Sequence, residues 1–123
     1  MTYRETTEYL FNQLPMFERN GAKGYKSGLD NTLSLDVHFG HPHYSYKTIH
    51  VAGTNGKGSC SSLIAALLQT AGYKVGLYTS PHLVDFRERI RVNGRMVSEQ
   101  YVIDFVEKER QFFEPMRPSF FEL

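Results

Sequence analysis

The sequence has no tryptophan and one cysteine, Cys60, so an internal disulfide is impossible. An excess of either charge is missing too: 14 Lys and Arg stand against 13 Asp and Glu, for a formal net charge of +1. No basic block stands out, which argues against nucleic-acid binding through a general electrostatic patch and favours small molecules as partners. Apolar runs are far shorter than the about 20 residues that span a bilayer, and no apolar signal segment opens the chain. These absences predict a cytoplasmic protein with no membrane and no nucleic-acid partner. The 123 residues suffice for one domain with a modest core.

Aromatic residues are plentiful, with nine Phe and eight Tyr, and most are expected to fill the core or an interface. Residues 2–14 read as a helix with Tyr3, Leu10, Phe11 and Leu14 on one face, ending near Pro15. A glycine-rich loop follows over 20–28. Leu29, Leu33 and Val37 recur at four-residue spacing and mark a second short helix, closed by Gly40 and Pro42. His38, His41 and His43 lie close together, but without cysteine or acidic partners at ligand spacing they read as a polar helix end rather than a metal site.

The chemistry concentrates in 49–62, Ile-His-Val-Ala-Gly-Thr-Asn-Gly-Lys-Gly-Ser-Cys-Ser-Ser. A β-favouring run over 49–52 feeds a glycine turn over 53–58, and the turn opens onto a helix with apolar Leu63, Ala66, Leu67 and Ala71. Strand, glycine turn and helix together describe a phosphate site. Glycines let amide groups turn inward around an anion, the helix N-terminus adds partial positive charge, and Lys57 adds a full one. Ser59 offers a hydroxyl to the Mg²⁺ that accompanies a nucleoside triphosphate. Two departures from G-x-x-x-x-G-K-[ST] stand out: Val51 replaces the first glycine, and Gly58 intervenes between Lys57 and Ser59. Cys60, near the helix N-terminus, reads as a packing residue rather than a reactive thiol.

The helix is predicted to run from about Gly58 to Ala71, with Gly72 at its C-cap and a strand over 74–78. Strand, helix and strand in this order imply a parallel pair with a right-handed crossover. The loops over 53–59 and 79–83 then leave the carboxyl ends of their strands and converge on one crevice. Residues 85–91 alternate in charge, and Ile90 and Val92 mark one face of a strand ending at Asn93-Gly94. Arg87, Arg89 and Arg91 could hold an anionic tail through bidentate contacts, with a solvated strand face the expectation for at least two of them. Ser98 caps a last helix whose stripe is Val102, Phe105, Val106, Phe112 and Phe113, ended by Pro115. The expected layout is a helical segment over 1–45, a phosphate-loop βαβ unit over 47–94 and a helix over 98–114.

Gly53-Thr-Asn-Gly-Lys-Gly-Ser59 resembles the nucleotide loop of the folylpolyglutamate synthase and dihydrofolate synthase family, within the Mur ligase superfamily. Mur ligases proper usually place Thr or Ser directly after the lysine, so Gly58 points to the folate branch. Gly72-Tyr-Lys-Val-Gly-Leu-Tyr-Thr-Ser-Pro-His-Leu83, followed by Glu88-Arg-Ile-Arg-Val-Asn-Gly94, is similar to that family's second strand, its Ω-loop and the next extended segment.

The resemblance implies an α/β fold, the N-terminal part of a Mur-ligase-type phosphate-loop ATPase domain, incomplete here, with parallel strands and flanking helices. It implies ATP and Mg²⁺ as cofactors, bound by Gly53, Thr54, Asn55, Gly56, Lys57, Gly58 and Ser59. Lys57 is then the catalytic residue, and Ser59 and Ser80 the metal contacts. His82 reads either as a substrate contact or as the residue orienting its loop. Lys26, Ser27 and Gly28 are placed at the entrance of a pterin site that Ser119, Phe120, Phe121 and Glu122 line. The implied reaction phosphorylates folate or dihydropteroate with ATP and adds L-glutamate. The family's remaining metal ligands, carbamylated lysine, adenine site and C-terminal domain are expected after residue 123. The chain therefore reads as an N-terminal portion that is inactive alone and open to self-association through a sheet edge. Other readings are another Mur-type peptide ligase, a non-catalytic nucleotide-binding module and a small phosphate-loop kinase.

Overall fold

The computed structural model describes residues 1–14 and 28–123. Its helices are α1 (Tyr3–Gln13), α2 (Asp30–His38), α3 (Lys57–Thr70) and α4 (Glu99–Met116), and its strands are β1 (Gly76–Tyr78), β2 (Ile90–Val92) and β3 (Arg95–Met96). Short 3-10 turns occupy Pro42–Ser45 and Phe86–Arg89. The chain divides into two units, Met1–Thr48 with Val102–Leu123, and Ile49–Tyr101. Among the described residues, no helix is long and apolar enough to cross a membrane.

The first unit is helical. Helix α1 starts at a capping box: the Thr2 hydroxyl accepts the Glu5 amide at 3.2 Å, and the Glu5 carboxylate accepts the Thr2 amide at 2.6 Å. The Thr2 amide foremost, and then the Thr2 side chain, hold the Glu5 carboxyl below its usual range. On α4, Val102, Ile103, Val106, Glu109 and Phe113 are buried at helical spacing. They share the unit's core with Leu10, Leu14, Leu35 and Phe120. Aromatic contacts complete it: Phe11 stacks on Phe120 with ring centroids 5.2 Å apart, and Phe39 on Phe105 at 5.7 Å.

Two expectations about this unit change. Leu29, Leu33 and Val37 are 65, 59 and 66% exposed, and Leu35 is buried instead. Two residues along a helix turn the side chain by about 200°, so burying Leu35 turns Leu33 and Val37 outward. Pro115 lies inside the last turn of α4, and the helix ends only after Met116, where Arg117 adopts a φ of 48°.

In the second unit, α3 ends where Ala71 and Gly72 close the last turn, Gly72 at a φ of 96°, with the Gly72 amide on the Gln69 carbonyl at 2.9 Å and the Tyr73 amide on that of Leu68 at 3.1 Å. The sheet has the order β1-β2-β3 and both pairings are antiparallel. Leu77 faces Arg91, and Val92 faces Arg95 across a two-residue turn in which Asn93 (φ 50°) and Gly94 (φ 78°) are both left-handed. That geometry is the type I′ hairpin turn, whose twist matches the strands it joins.

The predicted parallel pair is therefore not present among the described residues. Residues 49–52 carry no strand, and Ile49 is 64% exposed. The loop over 79–89 folds the chain back on itself, so β1 takes β2 as its ladder partner. Residues 86–89 form a 3-10 turn instead of a continuous charged strand, because Asp85 and Glu88 cap that turn and close it.

Candidate nucleotide site

The loop over 53–56 ends at Gly56, the N-cap of α3, whose φ of 75° is left-handed. Glycine suits this position because the conformation is costly for other residues. Gly56 offers no side-chain cap, and the first backbone bond of the helix is the Cys60 amide on the Gly56 carbonyl at 2.9 Å. The amides of Lys57, Gly58 and Ser59 precede it and have no acceptor within the helix. They form a donor array at the positive end of a 14-residue helix.

Lys57 is the first helical residue, and its ammonium donates to the Gly53 carbonyl at 2.6 Å. The cation is thus folded back across the loop it closes. Residues 52–60 are exposed, including Thr54, Asn55 and the Ser59 hydroxyl in the first turn. Cys60 is exposed as well, contrary to the packing role read from sequence. It lies five residues before Ala65, the buried residue of α3, and so about 140° around the helix from it.

The loop after β1 carries Ser80, which is exposed and precedes Pro81 through a cis peptide, and half-buried His82. Thr79 closes the neck through its amide on the Arg89 carbonyl at 3.0 Å. The Glu88 carboxylate accepts the amides of Leu83, Val84 and Asp85 at 3.0, 2.9 and 2.6 Å. These bonds, that of Asp85 foremost, hold the Glu88 carboxyl below its usual range. Arg89, a residue only 3% exposed, donates through Nε to His82 Nδ1 at 2.7 Å. A lone pair on Nδ1 places the proton of the neutral ring on Nε2. Beside this loop, a hollow of about 400 Å³ separates α3 from the sheet, lined by Ser62, Ala65, Ala66 and Gln69 on one side and by Leu77, Thr79, Pro81, Glu88, Arg91 and Gly94 on the other. Ser59 and Ser80 are not among these lining residues.

The arginines are not a solvated strand face. Arg87 binds Asp85, Nη2 to Oδ2 at 2.9 Å, Arg89 is buried and Arg91 is half-buried. The 3-10 turn rotates Arg87 and Arg89 off the alternation that a strand would impose.

Of the residues assigned to a pterin site, Lys26 and Ser27 lie outside the described residues, and Gly28 is exposed at a φ of 86°. Ser119 and Glu122 cap one another: the Ser119 amide meets the Glu122 carboxylate at 2.7 Å, and the Glu122 amide meets the Ser119 hydroxyl at 3.2 Å. Phe120 is buried on Phe11, whereas Phe121 is 68% exposed.

Around α2, Asp36 accepts from His41 Nδ1 at 2.5 Å and pairs with His43 Nδ1 at 2.9 Å, while His38 Nε2 meets Glu109 at 2.7 Å and stacks on Phe112 at 3.7 Å. Among the described residues no group of three His, Cys, Asp or Glu is placed to hold a metal ion. Sequence reasoning missed Asp36 as the partner of two of these histidines. It also missed Glu88 as the acceptor of the loop amides and His82 as the partner of Arg89, although Asp85-Phe-Arg-Glu88 has the spacing of a capping box.

No family model matches the chain. It is 38% identical over 112 residues to a probable bifunctional folylpolyglutamate synthase/dihydropteroate synthase of Haloferax volcanii, covering 91% of this chain and 12% of that protein. It is 48% identical over 77 residues to a dihydrofolate synthase/folylpolyglutamate synthase of Bacillus subtilis, covering 63% of this chain and 18% of that protein. Among solved structures, the folylpolyglutamate synthase of Thermotoga maritima superposes with a TM-score of 0.82 at 40% identity, over 98% of this chain and 27% of that one. A folylpolyglutamate synthase complex with AMPPCP and folate gives 0.81 at 32% identity, over 99% of this chain and 30% of that one. The chain thus spans less than a third of the length of each of these proteins.

Proposed function

We propose that this chain, which belongs to the folylpolyglutamate synthase/dihydrofolate synthase family, holds the triphosphate of ATP for an amide ligase that adds L-glutamate to folate or dihydropteroate. The observation that carries this reading is the start of α3: a left-handed Gly56, first-turn amides without helical acceptors, and Lys57 folded over the loop. Donors and charge of that kind fit a polyphosphate. The solved relative with AMPPCP and folate supports the same ligand classes.

In this reading a substrate carboxylate oxygen attacks the γ-phosphorus, ADP leaves, and an acyl phosphate forms. The amine of L-glutamate then attacks the acyl carbon, phosphate leaves, nitrogen loses a proton and the amide is complete. Lys57 moves from the Gly53 carbonyl to the phosphates and stabilises the charge that builds on them during transfer. The amides over 53–59 fix their orientation. The hydroxyls of Ser59 and Ser80 are hard oxygen donors suited to Mg²⁺, which supplies further charge neutralisation there. The exposed ring of Phe121, in the turn over 119–122, is the proposed pteridine contact; His82, in its own loop, is a separate candidate for contact with substrate. Ser119 and Glu122 act through the turn they cap, which leaves Phe121 as the stacking surface.

Calorimetric titration of Mg·ATP into the chain tests the reading. Lys57→Ala removes charge-assisted bonds of about 1.5–3 kcal/mol, so affinity should fall roughly ten- to hundredfold. A folded wild-type chain that binds no Mg·ATP would sink it.

A further inference from the structure

The tip of the loop over 80–89 has no apolar core of its own. Leu83 and Val84, its aliphatic residues, are each 91% exposed, so burial contributes almost nothing to holding the tip. One carboxylate does that instead. Glu88 accepts three successive amides, those of Leu83, Val84 and Asp85, and so gathers the outer half of the loop onto a single side chain. Asp85 answers by capping the turn that carries Glu88, accepting the Arg87 amide at 2.9 Å. The neighbouring Arg89 holds His82, and the Thr79 hydroxyl donates to the Glu88 carbonyl at 3.4 Å. Thr79 and Leu83, the two residues that flank Ser80-Pro81-His82, are both tied into this network, and so is His82 itself.

We propose that Glu88 is a positioning residue: through the loop amides it accepts, it holds Ser80 and His82 where the nucleotide-bound metal and the substrate require them. The inference rests on the reading of Ser80 as a Mg²⁺ contact. A carboxylate is needed because its two oxygens take three donors at once, Leu83 on Oε1 and Val84 and Asp85 on Oε2. A carboxamide keeps one acceptor oxygen and turns an N–H against the remaining amide.

The test measures ATP affinity with Mg²⁺ and, separately, with EDTA, in the wild-type chain, Glu88→Ala and Glu88→Gln. Amide exchange at Leu83, Val84 and Asp85 is followed in the same samples. In the wild type Mg²⁺ should strengthen ATP binding. Glu88→Ala should lose that increment, roughly tenfold for one charge-assisted contact, while metal-free ATP binds as in the wild type and the three amides exchange faster. Glu88→Gln should keep part of the increment. An undiminished Mg²⁺ increment in Glu88→Ala overturns the role of Glu88, as does an equal loss with and without the metal, which signals general damage. A wild-type chain whose ATP affinity ignores Mg²⁺ removes the reading of Ser80, and the inference falls with it.

Discussion

Gly56 and Gly58 are two residues apart and do opposite things. Gly56 sits at a φ of 75°, and a Cβ added there meets nothing within 4 Å, so its constraint is conformational rather than steric. A left-handed conformation costs a non-glycine residue about 1–2 kcal/mol. Gly58 lies within α3 with ordinary helical backbone and equally open space. Alanine is favoured over glycine in a helix by about 1 kcal/mol. Denaturant titration should therefore show Gly56→Ala destabilised by about 1–2 kcal/mol and Gly58→Ala unchanged or stabilised by up to about 1 kcal/mol. Equal destabilisation of both would refute this division of roles. The glycine pattern is legible in sequence because turn and helix make different demands on the same residue type. The Lys57–Gly53 bond is not, since it depends on where the lysine stem turns once α3 has formed.

Among elements, α4 is the most readable. Its stripe of Val102, Val106 and Phe113 is buried at the spacing that its sequence shows, with Ile103 and Glu109 added and Phe105 and Phe112 half-buried. Phe113 is fully buried, and replacing a core phenylalanine by alanine costs about 3–5 kcal/mol. Phe113→Ala should lower the unfolding free energy by about that amount, whereas Phe121→Ala, at an exposed ring, should leave it within about 0.5 kcal/mol. Chemical denaturation followed by circular dichroism distinguishes the two. Helix α2 was harder to read because its apolar residues occupy more than one face. Periodicity identifies the helix, but the face that packs is settled by partners distant in sequence, the His38 contacts with Phe112 and Glu109. The sheet follows the same logic: strand-like runs over 74–78 and 90–92 are visible locally, but their antiparallel pairing comes from the capped loop between them.

For the whole molecule, stability should have an acid edge and an alkaline edge with identifiable owners. Three carboxylates, Glu5, Glu88 and Glu109, are held below their usual range by the donors they accept, foremost the Thr2 amide, the Asp85 amide and the His38 ring. A lowered folded-state pKa means that the stabilisation is complete above the unfolded carboxylate value of about 4.3 and is lost as pH falls through the folded value. At the other edge, burial, followed by the hydrogen bond to Glu114, pushes the Tyr9 phenol up to about 12. For this raised group the stabilisation is complete below the unfolded value of about 10 and is lost as pH rises toward the folded one. The Tyr9 hydroxyl donates to Glu114 at 2.6 Å, and the phenolate cannot. Thermal unfolding across pH should show Tm level through neutrality, then falling below about pH 5 and above about pH 10. Glu109→Gln should start with a lower Tm at neutral pH and lose less of it on acidification than the wild type does. Tyr9→Phe should flatten the alkaline limb alone. If Glu109→Gln runs parallel to the wild type down the acid limb, the His38–Glu109 pair contributes nothing to acid stability, and the loss belongs to Glu5 and Glu88.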